Sequence, residues 1–351
     1  MVPFRSWILM AVLGLLASGC SRAGVVLGQT PIDLVLPEGF HLGFNHRLAS
    51  RYRSPLSREW RNGDNLEQML IDAIQSAEAE ILVAVQELSL PRIAQSLVSA
   101  SRQGVDVKVI LENNYSTPWS QQHELDLSRH GRQRLQRLKA LADQDQNGVV
   151  TPEEERKSDA LLILQHGQIP WIDDSEDGSK GSGLMHHKFV VIDGKRVITG
   201  SANFTNSGMH GDAGAPQTRG NVNHLISIQS PSLATVFKEE FVQMWGDGPG
   251  GSNDSRFGRS KTAKSLQTLK VGSVNIKVLF PPHAKTHPGH GLAVIEDQLG
   301  GAQKTIDLAL FVFSAQQLTN KLAERLATGV TLRLPADPGP ARPPYCEARP
   351  L

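Results

Sequence analysis

The chain has 351 residues, 39% hydrophobic and 20% charged, which is ordinary for a soluble globular protein of one to two domains. A formal net charge of +1 offers no global electrostatic case for a nucleic-acid partner, although a basic groove is free to form locally. Cys20 and Cys346 are the two cysteines, so no internal disulfide framework is expected after N-terminal processing.

The N-terminus reads as a targeting segment. Arg5 precedes an apolar run, Ile8 to Ala17, which is too short to span a bilayer. Leu16-Ala17-Ser18-Gly19-Cys20 follows. Small residues ahead of a cysteine resemble the bacterial lipoprotein cleavage site. That resemblance implies a signal peptide over 1–20, lipid on Cys20 and an exported, membrane-anchored protein. Ala17 is less usual than Leu at its position, so ordinary secretory cleavage to a periplasmic or secreted product stays open.

From about Gly39, short apolar strands alternate with amphipathic helices. Phe40 to Phe44 reads as a strand. Asn65 to Ala79 reads as a helix with Leu66, Met69, Leu70, Ala73, Ile74 and Ala77 on one face. Ile81 to Val85 is an apolar strand, Pro91 to Gln103 a helix ended by Gly104, and Val105 to Leu111 the next strand. This alternation predicts an α/β layered fold.

An insertion, 115–180, comes next. It contains Asp143-Gln-Asp145-Gln-Asn147-Gly148-Val149-Val150-Thr151-Pro-Glu-Glu154. An EF-hand-like loop over 143–154 needs oxygen ligands at positions 1, 3, 5, 9 and 12, a carbonyl at 7 and Gly at 6. Asp143, Asp145, Asn147, Thr151 and Glu154 supply side chains, Val149 the carbonyl and Gly148 the turn. Leu135, Leu138 and Leu141 share one side of the entering helix. Thr151-Pro152-Glu153-Glu154 is also a helix start with an N-cap and a Pro at N1, so a capped helix without metal is the competing reading. The expectation is a Ca²⁺ of structural rather than catalytic role.

The segment richest in chemistry is Met185-His186-His187-Lys188-Phe189-Val190-Val191-Ile192-Asp193, followed by Gly200-Ser201-Ala202-Asn203. In a strand His186 and Lys188 point to one face, His187 and Phe189 to the other. A nucleophilic imidazole beside a fixed cation suits attack on a phosphate, the ammonium neutralising a non-bridging oxygen. Ser201 and Asn203 add polar donors for that phosphate. Asp193-Gly194 is equally a hairpin turn signal between apolar runs.

This arrangement resembles the HKD motif of the phospholipase D superfamily, whose enzymes cleave phosphodiesters through a phosphohistidine. The resemblance implies a layered α/β/α sandwich over 38–245, His186, Lys188 and Asp193 as the catalytic set, and no cofactor for catalysis. Members often carry a Glu after the motif that orients the histidine; Asn223 occupies that place here. Glu87, at the end of a core strand, is another candidate partner, against a plain solvated strand end.

The strand-helix order recurs at a constant offset of 225 residues. Leu70, Ile74 and Ala77 match Ile295, Leu299 and Ala302, Ile81–Val85 matches Ile306–Leu310, Leu97 matches Leu322, and Gly104-Val105 matches Gly329-Val330. A linker over 246–272, rich in Gly and Ser at its start, therefore joins a partial second repeat, 273–334, with an irregular Pro-rich tail over 335–351. The matching second motif is expected near position 411, beyond Leu351. His283-Ala284-Lys285 does not replace it, because His290 stands where the aspartate should be. The general acid, normally the second histidine, then comes from a homodimer or is missing. Phospholipid is the favoured substrate. An endonuclease acting as a homodimer and an impaired calcium-binding lipoprotein are the alternatives.

Overall fold

The computed structural model describes residues 35–179, 184–211 and 220–335. The signal segment and Cys20 lie outside the described residues, as does the tail from 336. The unit from Leu36 onward is built on a seven-stranded mixed sheet. β1 (Phe40–Phe44) leads through a small hairpin, β2 (Arg51–Arg53) and β3 (Trp60–Asn62), into α1 (Leu66–Gln75). β4 (Glu80–Val85), α2 (Pro91–Arg102) and β5 (Asp106–Leu111) form a parallel strand-helix-strand unit. An excursion carrying α3 (Arg129–Ala142), α4 (Pro152–Ser158) and α5 (Ala160–His166) returns as β6 (Trp171–Asp173). β7 (Lys188–Ile192) and β8 (Arg196–Gly200) form a hairpin, followed by α6 (Asn206–Met209), β9 (His224–Gln229) and α7 (Pro231–Trp245). The order across the sheet is β1-β9-β8-β7-β4-β5-β6; the neighbouring pairs β4–β5 and β5–β6 are parallel and the other pairs antiparallel.

Burial on both faces explains why β4 and β7 read as unbroken apolar runs. Ile81, Val83, Val85, Val190 and Ile192 pack towards α1 and α2, and Leu82, Ala84, Phe189 and Val191 pack towards α7. The layered α/β sandwich expected from the sequence is the fold observed. α1 stops at Gln75, four residues before the predicted end. Ser76 caps it, and the next backbone N–H groups, at Glu78, Ala79 and Glu80, are taken by the Asp193 carboxylate.

The insertion is shorter than 115–180. Leu161 and Leu164 of α5 lie in the main core, and β6 is an edge strand of the main sheet. Three residues of strand carry too little pattern to be read from sequence. The part standing apart has its own small core of Trp119, Leu135 and Ala142, with Leu138 and Val150 against it.

The stretch expected as a linker, 246–272, is docked. Phe257 is buried in the second core, and the last residues belong to β10 (Gln267–Val271), which pairs with β11 (Val274–Val278). Beyond the hairpin come α8 (Gly291–Gly300), β12 (Thr305–Asp307), α9 (Gln316–Ala327) and β13 (Thr331–Arg333). The offset of 225 holds residue by residue here. α8 and α9 begin and end where α1 and α2 do, and the parallel register Glu80↔Asp106 recurs as Thr305↔Thr331. Asn65 and His290 cap the paired helices in the same way. The core of this unit, around Leu299, Ile306, Leu318 and Leu322, reproduces one side of the first sheet. Beyond the end of β12, Phe311 and Val312 are exposed.

Candidate active site

His186 precedes β7, and Lys188 opens it opposite Val85. The end of β4, the start of β7, the end of β8 and the start of β9 therefore meet at one edge of the sheet. Lys188 is 8% exposed. Among the described residues its ammonium has only neutral partners: Nζ donates to the His186 carbonyl at 3.0 Å and to Gln86 Oε1 at 3.4 Å. Burial pushes its pKa down to about 8, opposed by the nearby Glu87 carboxylate. The Glu87 carboxylate itself is bound by Arg134 Nε at 2.6 Å.

The His186 imidazole is exposed and, among the described residues, makes no hydrogen bond. Partial burial and the Lys188 charge hold it below the usual histidine value, which favours the neutral imidazole. Asn203 Nδ2 donates to the same Gln86 Oε1 at 3.1 Å, which gathers Lys188 and Asn203 around one amide. Asn203 Oδ1 is buried without a partner among the described residues. Ser201 Oγ donates to Asn223 Oδ1 at 2.9 Å and lies 3.3 Å from His224 Nδ1.

Three sequence expectations are corrected. Asp193 is not at this edge. β7 separates it from His186 by about 20 Å of extended chain. It sits in the three-residue β7–β8 connection, where it and Gly194 both have positive φ, 53° and 59°, as the central residues of the turn closed by the Lys195 N–H to the Ile192 carbonyl. Asn223 does not reach His186: its amide is spent on Ser201 and on the Gly208 carbonyl, and its backbone N–H goes to Asn45. Glu87 is paired with Arg134 rather than with the histidine.

Sequence reasoning missed Gln86, whose only signal was being the first polar residue after a buried strand. It also missed the group beneath His187. His187 Nε2–H donates to Glu240 at 3.1 Å, and Lys261 binds the same oxygen. Burial lowers the His187 pKa, while against its own burial the hydrogen bond from His187 and then the Lys261 charge hold Glu240 below the usual glutamate value. This buried group joins β7, α7 and the segment leading to β10. Above it, a cavity of about 770 Å³ runs from His186 and His187 between apolar walls that include Phe40, Ile226, Phe237 and Ile276.

In the 143–154 loop, carboxylate oxygens of Asp143, Asp145 and Glu154 lie within 4.8 Å of one another. Gly148 has φ +82°, and Val150 packs inward as position 8 should. Glu154 also completes a capping box with Thr151. The donor set and its convergence fit a hard cation; Asn147, Thr151 and the Val149 carbonyl stand in the remaining ligand positions.

The family profile described as "Cardiolipin synthase, PLD-like domain" matches residues 70–245, half of the chain, and encloses every motif residue above. The chain belongs to the phospholipase D superfamily. It is 24% identical over 202 residues to a phospholipase D of Rickettsia conorii, covering 57% of this chain and 72% of that protein. It is 33% identical over 61 residues to the mitochondrial cardiolipin hydrolase of Danio rerio, 17% of this chain and 23% of that one. Among solved structures, Nuc from Salmonella typhimurium, titled a phospholipase D family member, aligns at 20% identity and a TM-score of 0.35. That alignment covers 62% of this chain and 98% of Nuc. The phosphatidylserine synthase of Haemophilus influenzae aligns at 17% and 0.47, covering 84% and 63%. As a member of this superfamily the chain is a phosphodiesterase of the phospholipase D type.

Proposed function

We propose that the chain cleaves phospholipids through a phosphohistidine on His186. One observation carries the reading: a buried ammonium whose partners among the described residues are all neutral lies beside an exposed imidazole whose neutral form is favoured, so its charge is left for an anion that the imidazole can attack. His186 attacks phosphorus, a nitrogen–phosphorus bond forms, and the bond to the head-group alcohol breaks. Lys188 and Asn203 hold the phosphoryl oxygens, with Ser201 alongside. Water then attacks phosphorus, the nitrogen–phosphorus bond breaks, and phosphatidic acid leaves. A second copy of the chain, presenting its own His186 as the imidazolium, protonates the departing alcohol. The apolar cavity beside His186 favours a lipid chain over a nucleotide.

Calcium held by the 143–154 loop serves this site at a distance. The loop caps α3, and Arg134 of α3 holds Glu87 beside Lys188. Export and lipid attachment at Cys20 belong to the same proposal; Cys20→Ser is expected to move the protein out of the membrane fraction.

Turnover of a chromogenic phosphodiester, of phosphatidylcholine vesicles and of plasmid DNA, beside His186→Ala, tests the reading. Loss of at least about 1,000-fold on diester and lipid alike is expected. Undiminished turnover by the variant contradicts the mechanism, and cleavage of plasmid without lipid contradicts the substrate.

A further inference from the structure

The stretch 47–61 holds five arginines, Arg47, Arg51, Arg53, Arg58 and Arg61, against one acid, Glu59, in a chain of net charge +1. The β2–β3 hairpin sorts them. Tyr52 and Arg61 are opposite one another and turn inward, with Tyr52 OH 2.8 Å from His210 Nδ1 and 3.3 Å from the Met209 carbonyl, which it donates to. Strand alternation then puts Arg51, Arg53 and Trp60 on the outer face, with Arg53 directly opposite Trp60. Trp60 is 61% exposed, and the Arg51 guanidinium lies 4.4 Å from its ring centre. Leu48, just before the hairpin, is 72% exposed.

The hairpin is fixed rather than loose. On its inner face Arg61 is buried and Tyr52 half-buried, and Arg53 Nε donates to the Arg58 carbonyl at 2.7 Å across the turn. Arg58 holds φ +60°, where glycine would sit without strain, so a side chain is kept there at a conformational cost. The hairpin also adjoins the catalytic edge. Asp64, at its base, accepts from the Phe44 N–H and from Ser50. Phe44 pairs with His224, which lies 3.3 Å from Ser201.

We infer that the outer face of β2–β3 docks the protein on an anionic phospholipid surface, bringing the His186 edge to the bilayer. Guanidinium groups attract anionic head groups, and an exposed tryptophan with a neighbouring leucine gains by entering the interfacial region. Exposed Phe44 and Val222 continue the apolar rim towards the site, which suits lipid better than a phosphate backbone. The inference rests on the phospholipid reading for what the surface delivers.

The test is partitioning of the full chain, in the His186→Ala background to prevent turnover, into phosphatidylcholine vesicles with and without about one third phosphatidylglycerol. Comparing the two lipids cancels any attachment through the apolar N-terminal run. Preference for the anionic vesicles, weakened by salt, is expected. Arg51→Ala with Arg53→Ala should lower that partitioning about 20- to 30-fold, and Arg51→Lys with Arg53→Lys should restore most of it. Trp60→Ala should weaken partitioning into both lipids. Variants that partition like the parent protein overturn the inference. So do alanine variants that lose retention of plasmid DNA while keeping vesicle binding. Binding is read without catalysis, so failure here leaves the reaction standing, and vesicle binding without lipid turnover by the parent enzyme would sink the reaction alone.

Discussion

Asp193→Asn is expected to cost stability and to spare turnover. The Asp193 carboxylate accepts from the backbone N–H groups of Glu80 at 2.9 Å, Ala79 at 2.7 Å and Glu78 at 3.0 Å. It thereby pins the entry of β4 to the far end of β7. Hydrogen bonds to a charged group contribute about 1.5–3 kcal/mol each when buried; solvent exposure here reduces that to about 1 kcal/mol apiece. Asparagine keeps one acceptor oxygen and tolerates φ 53°, so its expected loss is about 1–2 kcal/mol. Alanine loses all three bonds and adds strain, for about 3–4 kcal/mol. Partial burial raises the carboxyl, but the three N–H groups outweigh it and hold its pKa below the usual aspartate value. The stabilisation is therefore complete above about pH 4 and fades as pH falls through the folded-state value. Urea unfolding at pH 7 and in acid measures this, beside kcat on a chromogenic diester well below the transition. The gap between parent and Asp193→Asn should close in acid. Unchanged stability with kcat reduced 100-fold or more would put the carboxylate in the reaction and refute the reasoning.

Lys188→Met should abolish turnover and stabilise the fold. A lysine held near 8 rather than 10.5 is a protonated group that folding disfavours; allowing for its two acceptors, the variant should gain about 1–2 kcal/mol at pH 7. Below pH 8 both states are protonated and the penalty is whole. Between pH 8 and 10.5 the folded state sheds its proton first, so parent stability rises and the variant's advantage shrinks, as urea unfolding across pH would show. Glu240→Gln strands the buried Lys261 and should cost about 3 kcal/mol, with part recovered by adding Lys261→Met in a double-mutant cycle. Glu154→Gln preserves the capping geometry but removes a charge from the loop, so calcium affinity by titration calorimetry should fall at least about tenfold. Equal affinities would exclude the loop as the site.

Much of the fold was legible because two signals are local. Strand alternation places His186 with Lys188, and the repeat preserves helix ends and strand register across 225 residues without a gap. What was not legible depends on chain segments far apart. Asp193 reads equally as a chemical carboxylate and as a turn former until the N–H groups of residues 78–80 are seen to occupy it. Asn223 fits the place of an orienting glutamate in sequence, yet in space Ser201 and the Gly208 carbonyl claim its amide. The Gly-rich start of the expected linker hid Phe257 and Lys261, whose partners lie on the second core and on α7. Gln86 carries no motif; only the approach of Lys188 and Asn203 gives it a role.

The most direct measurement is intact mass and peptide mapping of enzyme quenched during turnover of a phosphatidylcholine with short acyl chains. A phosphatidyl adduct on the peptide carrying His186, absent from His186→Ala and decaying as product appears, is the predicted result. Steady turnover with no adduct on that histidine, or an adduct that persists in His186→Ala, would contradict it.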